Sequence, residues 1–423
     1  MTAPRHAEPT LQFIEEHCEK FRDLFEEVRT FENFQALHLG LLSQLPRKSL
    51  PALAKFLGLP NPQRLHHVLV TPHLSTQELA QRRLDILKEA LMGRPLTLMI
   101  DETGSRKKGS STDYVARQYL GSLGKVDNGL VTVHVVALVG EVTLPLTWRV
   151  FKPKGRLRDS DTHASKIRLA AQMLEEVSGW GLEVELVVAD SAYGMASEFM
   201  RCVQRHQWKY AVAIRSDFGL YLGPDDEVWR KDWVELERHF SDGSTQQRWA
   251  QEVVWGRERT ERYIRLTSDP ETQPANETSF VRTNLEGAKG LEALPDAYGS
   301  RTWVETCFRN TKTELGWHDW RLTRWEHIER WFEVVLSAYT LIGLKALARS
   351  EAPHRELKPK ALEDKELPEW SGGPRWVDVL NDIRVLVRSF GALVTLSLWM
   401  VIFPIEPHQL AASLRILFSL PFL

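Results

Sequence analysis

Two short apolar runs that each stop at an aspartate constrain this chain most: LTLMI (Leu96–Ile100) before Asp101, and VELVVA (184–189) before Asp190. Apolar runs of this length, bounded by polar turns, read as buried strands. A carboxylate placed where such a strand stops lies at the edge of the core, half desolvated and able to face a cleft. In open α/β sheets, ligands collect at these strand ends. One such aspartate means little, because Asp also serves turn chemistry. Two of them on strands of one sheet narrow the choice considerably.

The segments around them suggest which sheet. After Asp101 and a Gly/Lys/Ser turn, GSRKKGSS, strand-like runs follow in YVARQYLGSLG, LVTVHVVALVG and EVTLPLTWRVF. DTHASKIRLAAQMLEEVSGWG reads as an amphipathic helix with Asp161 or Thr162 as N-cap and a glycine stop. MASEFMRCVQRHQ reads as a helix and KYAVAIRS as a strand. Three early strands suit an antiparallel meander, and the later strand–helix alternation suits parallel pairing through crossovers. The fold class expected is α/β, with a ribonuclease H-like mixed sheet as its core.

The flanks read differently. Residues 1–94 are expected to form a helical N-terminal domain, a candidate for binding DNA ends, and 95–216 the first part of the core. A β-rich insertion is expected over 217–293, where WAQEVVWG, RYIRLTS and SFVRTN are strand-like. Helical pattern returns for the second part of the core, 294–348, and residues 349–423 form a charged, Pro/Gly-rich linker and apolar helices. Phe390–Ile405 is shorter than the ~18–20 residues that span a bilayer, and is read as a buried helix stopped by Pro404. MTAPRHAEPT has no signal-peptide pattern, and Cys18, Cys202 and Cys307 are too scattered for a disulfide framework. A reducing, cytoplasmic setting without membrane is expected. With 54 Lys+Arg against 56 Asp+Glu, the net charge of −2 gives no sign of nucleic acid, so any such function rests on local patches.

A third acidic element lies in YGSRTWVETCFRNTKTELG. On one α-helix at about 100° per residue, Tyr298, Arg301, Glu305 and Lys312 share an arc of about 60°, although Ser300 as N-cap would leave Tyr298 just outside that helix. Val304, Phe308 and Leu315 make the adjoining apolar stripe. Such a helix would bury the stripe and point the polar edge into the cleft of the aspartates. The plain alternative is a solvated face with Arg301–Glu305 as an i,i+4 pair. Two Asp and one Glu suit hard divalent cations such as Mg²⁺. A pair of such ions serves in-line phosphoryl transfer. Basic residues supply the matching polarity: Arg106, Lys107 and Lys108; Lys152, Lys154, Arg156 and Arg158; Arg321 and Arg324 among Trp317, Trp320 and Trp325. Such patches suit backbone contact and base stacking, although each alone also fits ordinary surface or core.

On these residues the chain resembles the DDE transposases of bacterial insertion sequences that carry the YREK signature. Tyr298, Arg301, Glu305 and Lys312 match that spacing without a gap, while IDETGSRKKGSSTDYVARQYLGSLGKVDNG and VVADSAYG resemble the blocks around the two aspartates. The resemblance implies Asp101, Asp190 and Glu305 as catalytic metal ligands for two Mg²⁺ ions, with Mn²⁺ able to substitute. It implies Tyr298, Arg301 and Lys312 as DNA contacts, and double-stranded DNA (terminal inverted repeats and target) as the substrate of a homodimer acting at the nucleoid. It further implies cleavage at the element's ends and joining of the 3′ ends to a target. The alternatives are a catalytically inactive DNA-binding relative and a nuclease without strand transfer. Some relatives hold a flipped base on a tryptophan, for which Trp255 and Trp303 both stand open.

Overall fold

The computed structural model describes residues 6–7, 9–217, 228–255, 261–351 and 373–402. Most of the charged linker and Pro404 lie outside them. Five helices come first: α1 (Gln12–Glu19), α2 (Val28–Leu41), α3 (Leu50–Phe56), α4 (Gln63–Val70) and α5 (Thr76–Leu91). Then follow β1 (Pro95–Arg106), β2 (Ala116–Leu120), β3 (Lys125–Val139), β4 (Val142–Val150), α6 (Lys166–Ser178), β5 (Glu183–Ala189), α7 (Ser191–Gly194), α8 (Ser197–Arg205) and β6 (Lys209–Ile214). Next are β7 (Val228–Arg230), β8 (Val234–His239), β9 (Thr245–Trp255), β10 (Arg262–Thr267) and β11 (Ser279–Thr283). Helices α9 (Gly287–Glu292), α10 (Leu294–Gly299), α11 (Thr302–Arg309), α12 (Trp325–Glu351) and α13 (Trp376–Ile402) complete it. The chain divides into two compact units, residues 84–309 and residues 1–83 with 310–423.

In the unit of residues 84–309, the eleven strands form one sheet. β1 pairs antiparallel with β3, which pairs antiparallel with β4. β1 also pairs parallel with β5, and β5 parallel with β6. The core order β4–β3–β1–β5–β6, an antiparallel meander extended by parallel crossover strands, is the ribonuclease H-like arrangement expected. Strand β3 is buried on both faces along most of its length, as its run of valines requires.

Three local readings change. β1 does not stop at Ile100; it runs on through Arg106, because Thr103 and Ser105 are buried and the backbone stays paired with β3. Helix α6 starts at Lys166, with the Ser165 hydroxyl accepting from the Arg168 N–H at 3.1 Å. Asp161 is not its cap, because its carboxylate is engaged by the Tyr114 hydroxyl, the Arg158 N–H and Lys152. The strands after 217 extend the core sheet directly, since β11 pairs antiparallel with β6.

The other unit is helical, with Phe21, Phe25, Phe31 and Phe34 in its core. Arg83 and Glu333 form a buried ion pair at 2.8 Å, their side chains 2% and 4% exposed. His17 and His38 each place Nε2 2.9 Å from the Ser337 hydroxyl. Trp317 stacks on Phe332 with centroids 3.6 Å apart, and Trp320 and Trp325 meet the same ring edge-on. These tryptophans are core, the ordinary one of the two readings open for that segment, while Arg321 and Arg324 are exposed. Among the described residues one helix, α12, is long and apolar enough to cross a membrane, and 83% of its apolar window is buried. The stretch from Phe390 belongs to α13 and is not buried as expected: Leu393 is 43% exposed and Ile402 69%.

Candidate active site

Asp101 and Asp190 come together because β1 and β5 run parallel in register. Ile100 pairs with Ala189, so the next residue on each strand is an aspartate. β5 stops there: Asp190 caps α7, its Oδ1 accepting from the Ala192 N–H at 2.9 Å and the Tyr193 N–H at 3.3 Å. The glycine of VVADSAYG has a steric reason. A Cβ on Gly194 would overlap the Ala213 carbonyl oxygen of β6, so only glycine lets α7 seat on the sheet.

The electrostatics follow from burial. Desolvation, with smaller contributions from the charges of Asp190 and Glu102, pushes the Asp101 carboxyl up to about 7. The Glu102 N–H and Arg301 oppose that rise. Asp190 is raised for the same leading reason, desolvation, with Glu102 adding to it and the Tyr193 and Ala192 N–H groups and Arg301 opposing. Arg301 is therefore the cation shared by both aspartates.

Glu102 had no role in the reading of the sequence. Neighbouring strand residues point to opposite faces, and Glu102 is taken up by Lys166 at 2.6 Å and by the Tyr193 hydroxyl at 2.9 Å. The only signal for it was its place beside Asp101 in IDET.

Glu305 is exposed on α11, which packs on β1 and β4 through buried Val304 and Cys307. Phe308, one turn further on, meets the His134 ring edge-on at 5.1 Å, and His134 is the β3 partner of Asp101. α11 thus crosses the sheet beside the first aspartate. Tyr298, Arg301, Glu305 and Lys312 do not share one helix, however. α10 ends at Gly299, and bonds from the N–H groups of Arg301, Trp303 and Val304 to carbonyls three residues back tighten the chain before α11. Tyr298 belongs to α10, where the Arg301 guanidinium lies 6.0 Å from its ring. Lys312 falls in a π-turn, Asn310–Glu314, that belongs to the helical unit. Trp303 is half-buried on α11, and the Trp255 side chain is not among those described.

The carboxylates do not form a closed cluster. Among the described residues, the trio whose ligand atoms all lie within 4.8 Å of one another is Glu175, Cys202 and His206, on α6 and around the end of α8. Hard oxygen donors, with two aspartates raised by burial and by nearby acidic charge, nonetheless fit a divalent cation, which offsets that charge.

Of the basic segments, Arg106, Lys107 and Lys108 begin about 16 Å along β1 from Asp101, at about 3.3 Å per residue. Arg106 pairs with Asp127 at 3.0 Å. The KPKGRLR turn is largely spent inside the protein: Lys152 binds Asp161, Arg158 binds Asp113, and Arg156 donates to the Ser110 and Thr112 carbonyls at 2.7 and 2.8 Å.

The sequence from Phe21 to Thr267, which includes both strand-end aspartates, matches the DDE superfamily endonuclease family. A probable transposase for insertion sequence element IS701 from Microchaete diplosiphon is 41% identical over 330 residues, 78% of this chain and 87% of that protein. The chain belongs to the DDE-type transposases of insertion sequences. As such it is a nuclease of the metal-dependent class, and of the YREK residues of this transposase Tyr298 lies on α10, Arg301 in the turn that follows, Glu305 on α11 and Lys312 in the π-turn.

Proposed function

We propose that this transposase cuts double-stranded DNA at the ends of its own insertion sequence and joins the 3′ ends to target DNA. The observation that carries the reading is the in-register pair Asp101 and Asp190 at the β1–β5 junction, with α11 bringing Glu305 across the same sheet. Asp101, Asp190 and Glu305 would hold two Mg²⁺ ions, with Mn²⁺ able to substitute. Bound there, the cations would activate the attacking water or 3′-hydroxyl and stabilise the leaving oxygen.

The chain's own groups do the rest. The Tyr193 and Ala192 N–H groups fix the Asp190 carboxylate, and the Glu102 N–H fixes that of Asp101 at 2.8 Å. Arg301 offsets the acidic charge and contacts the scissile phosphate region. Tyr298 and Lys312 are further DNA contacts, and Arg106, Lys107 and Lys108 meet the phosphate backbone beyond the cleft. Two protomers act together, one for each end.

The test uses duplex DNA carrying the inverted repeats that flank the gene. Wild type with Mg²⁺ is expected to give nicked ends and strand-transfer products. Asp101→Asn, Asp190→Asn and Glu305→Gln are each expected to bind the DNA and lose cleavage at least a thousandfold. Wild-type cleavage by Asp101→Asn and Glu305→Gln would refute the assignment. Cleavage without joined products would reduce the activity to that of a nuclease.

A further inference from the structure

The hairpin of β2 and β3 carries a surface that the cleft does not use. Among the described residues nine large apolar side chains are exposed, and three of them fall here: Tyr119 at 56%, Leu123 at 41% and Val126 at 54%. Tyr119 and Val126 are register partners across the antiparallel pair, so their side chains lie together on one face. Arg117, two residues along the same strand, shares that face and is exposed. Leu123 sits at the turn and Lys125 opens the returning strand, also exposed.

Charge is concentrated around this apolar face. Residues 104–129 contain Arg106, Lys107, Lys108, Arg117 and Lys125 but only Asp113 and Asp127, an excess of three positive charges in a chain whose net charge is −2. Both acids are engaged, Asp113 by Arg158 and Asp127 by Arg106. The hairpin is also held in place. Asn128 donates from Nδ2 to the Lys107 and Gly109 carbonyls at 3.0 and 2.6 Å, which ties the basic turn to β3. Leu120 is fully buried against Gly129, where a Cβ would lie 2.8 Å from the Leu120 Cδ1 atom. β2 ends the path of the sheet, so among the described residues no strand pairs with its outer edge.

We propose that this β2–β3 ribbon is a second duplex-contacting element, seated in a groove of the DNA beyond the catalytic cleft. A two-stranded ribbon fits the width of a DNA groove. Tyr119, Val126 and Leu123 lie against sugars and base edges, while Arg117, Lys125 and Lys108 meet the flanking phosphates. Self-pairing of this edge in a second copy is opposed by its Arg and Lys, which repel their own copies. The proposal rests on the reading of the chain as an enzyme that works on DNA, and adds to it a footprint outside the cleft.

The experiment uses the full chain, a short mixed-sequence duplex and the repeat-bearing duplex, with anisotropy measured across a range of KCl. Arg117→Gln/Lys125→Gln is expected to lower the salt slope by about 2, at about 0.9 per phosphate contact. Tyr119→Ser/Val126→Ser is expected to weaken binding about tenfold at every salt concentration with the slope unchanged. Both variants should keep the wild-type melting temperature, since the replaced side chains are exposed. Wild-type affinity and slope in both, with Arg301→Gln weakened, would overturn the ribbon contact and leave the enzymatic reading standing. A changed oligomeric state in either variant would make the face a protein interface and also overturn it. No DNA binding by the wild type would remove the underlying reading itself.

Discussion

Replacing Asp101 with asparagine is expected to stabilise the metal-free protein. In the folded unit its carboxyl titrates at about 7 instead of 3.8, chiefly because it is desolvated. An acid whose folded pKa is raised favours folding only while protonated. Its contribution is complete below about pH 4 and disappears as pH climbs through 7. The shift is about 3 units, and at about 1.4 kcal/mol per unit the charged carboxylate costs up to about 4 kcal/mol above pH 7. Asparagine keeps an oxygen for the Glu102 N–H and carries no charge. In a domain of this size about 1 kcal/mol moves Tm by roughly 2–4 °C. With EDTA, the stability difference between variant and wild type should be small below pH 4, grow steadily through pH 5–6 and level off above pH 7. Denaturant melts of both proteins at each pH give that difference directly, because every other titrating group is common to both. Mg²⁺ should then raise the wild type more than the variant. Coincident melts at all pH values would mean that the Asp101 carboxylate is neither desolvated nor repelled.

Glu333→Gln removes the carboxylate charge facing Arg83 in the helical core and should cost about 3–5 kcal/mol in chemical denaturation, whereas Arg83→Met/Glu333→Leu should recover most of it. Gly194→Ala should displace α7 and, with it, the N–H groups that hold Asp190; DNA cleavage should fall at least a hundredfold while the helical unit still melts normally. His38, driven down to about 4 by burial, is a base whose folded pKa is depressed. Its unit should lose up to about 3 kcal/mol as pH falls from about 6.5 towards 4, and His38→Gln should flatten that part of the stability profile.

The chain advertised its site unevenly. LTLMI-D and VELVVA-D were readable because a buried strand needs apolar residues and a cleft needs the charge that follows them. The continuation of β1 past Asp101 was hidden, since Thr103 and Ser105 are polar residues kept in a strand by pairing with β3. The YREK spacing picked out four residues but suggested a single helix that the chain does not form. Helical arithmetic assumes one uniform pitch, and here a tight turn after Gly299 and a wide one after Arg309 replace it. Trp317, Trp320 and Trp325 illustrate a different limit: an aromatic among arginines looks the same on paper whether it stacks on a base or on Phe332. Glu102 was invisible because its significance lies in Lys166 and Tyr193, 64 and 91 residues away.

The pairing of β11 with β6 bears on any attempt to make a smaller enzyme. Strand β6 receives backbone hydrogen bonds from β5 on one side and β11 on the other. Excising everything from 217 to 293 would strip that second side and leave a bare apolar border, an invitation to intermolecular β-stacking. Shortening would be safer at β7, a strand of three residues at the opposite rim, than at β8, whose His239 bonds Asp296 of α10.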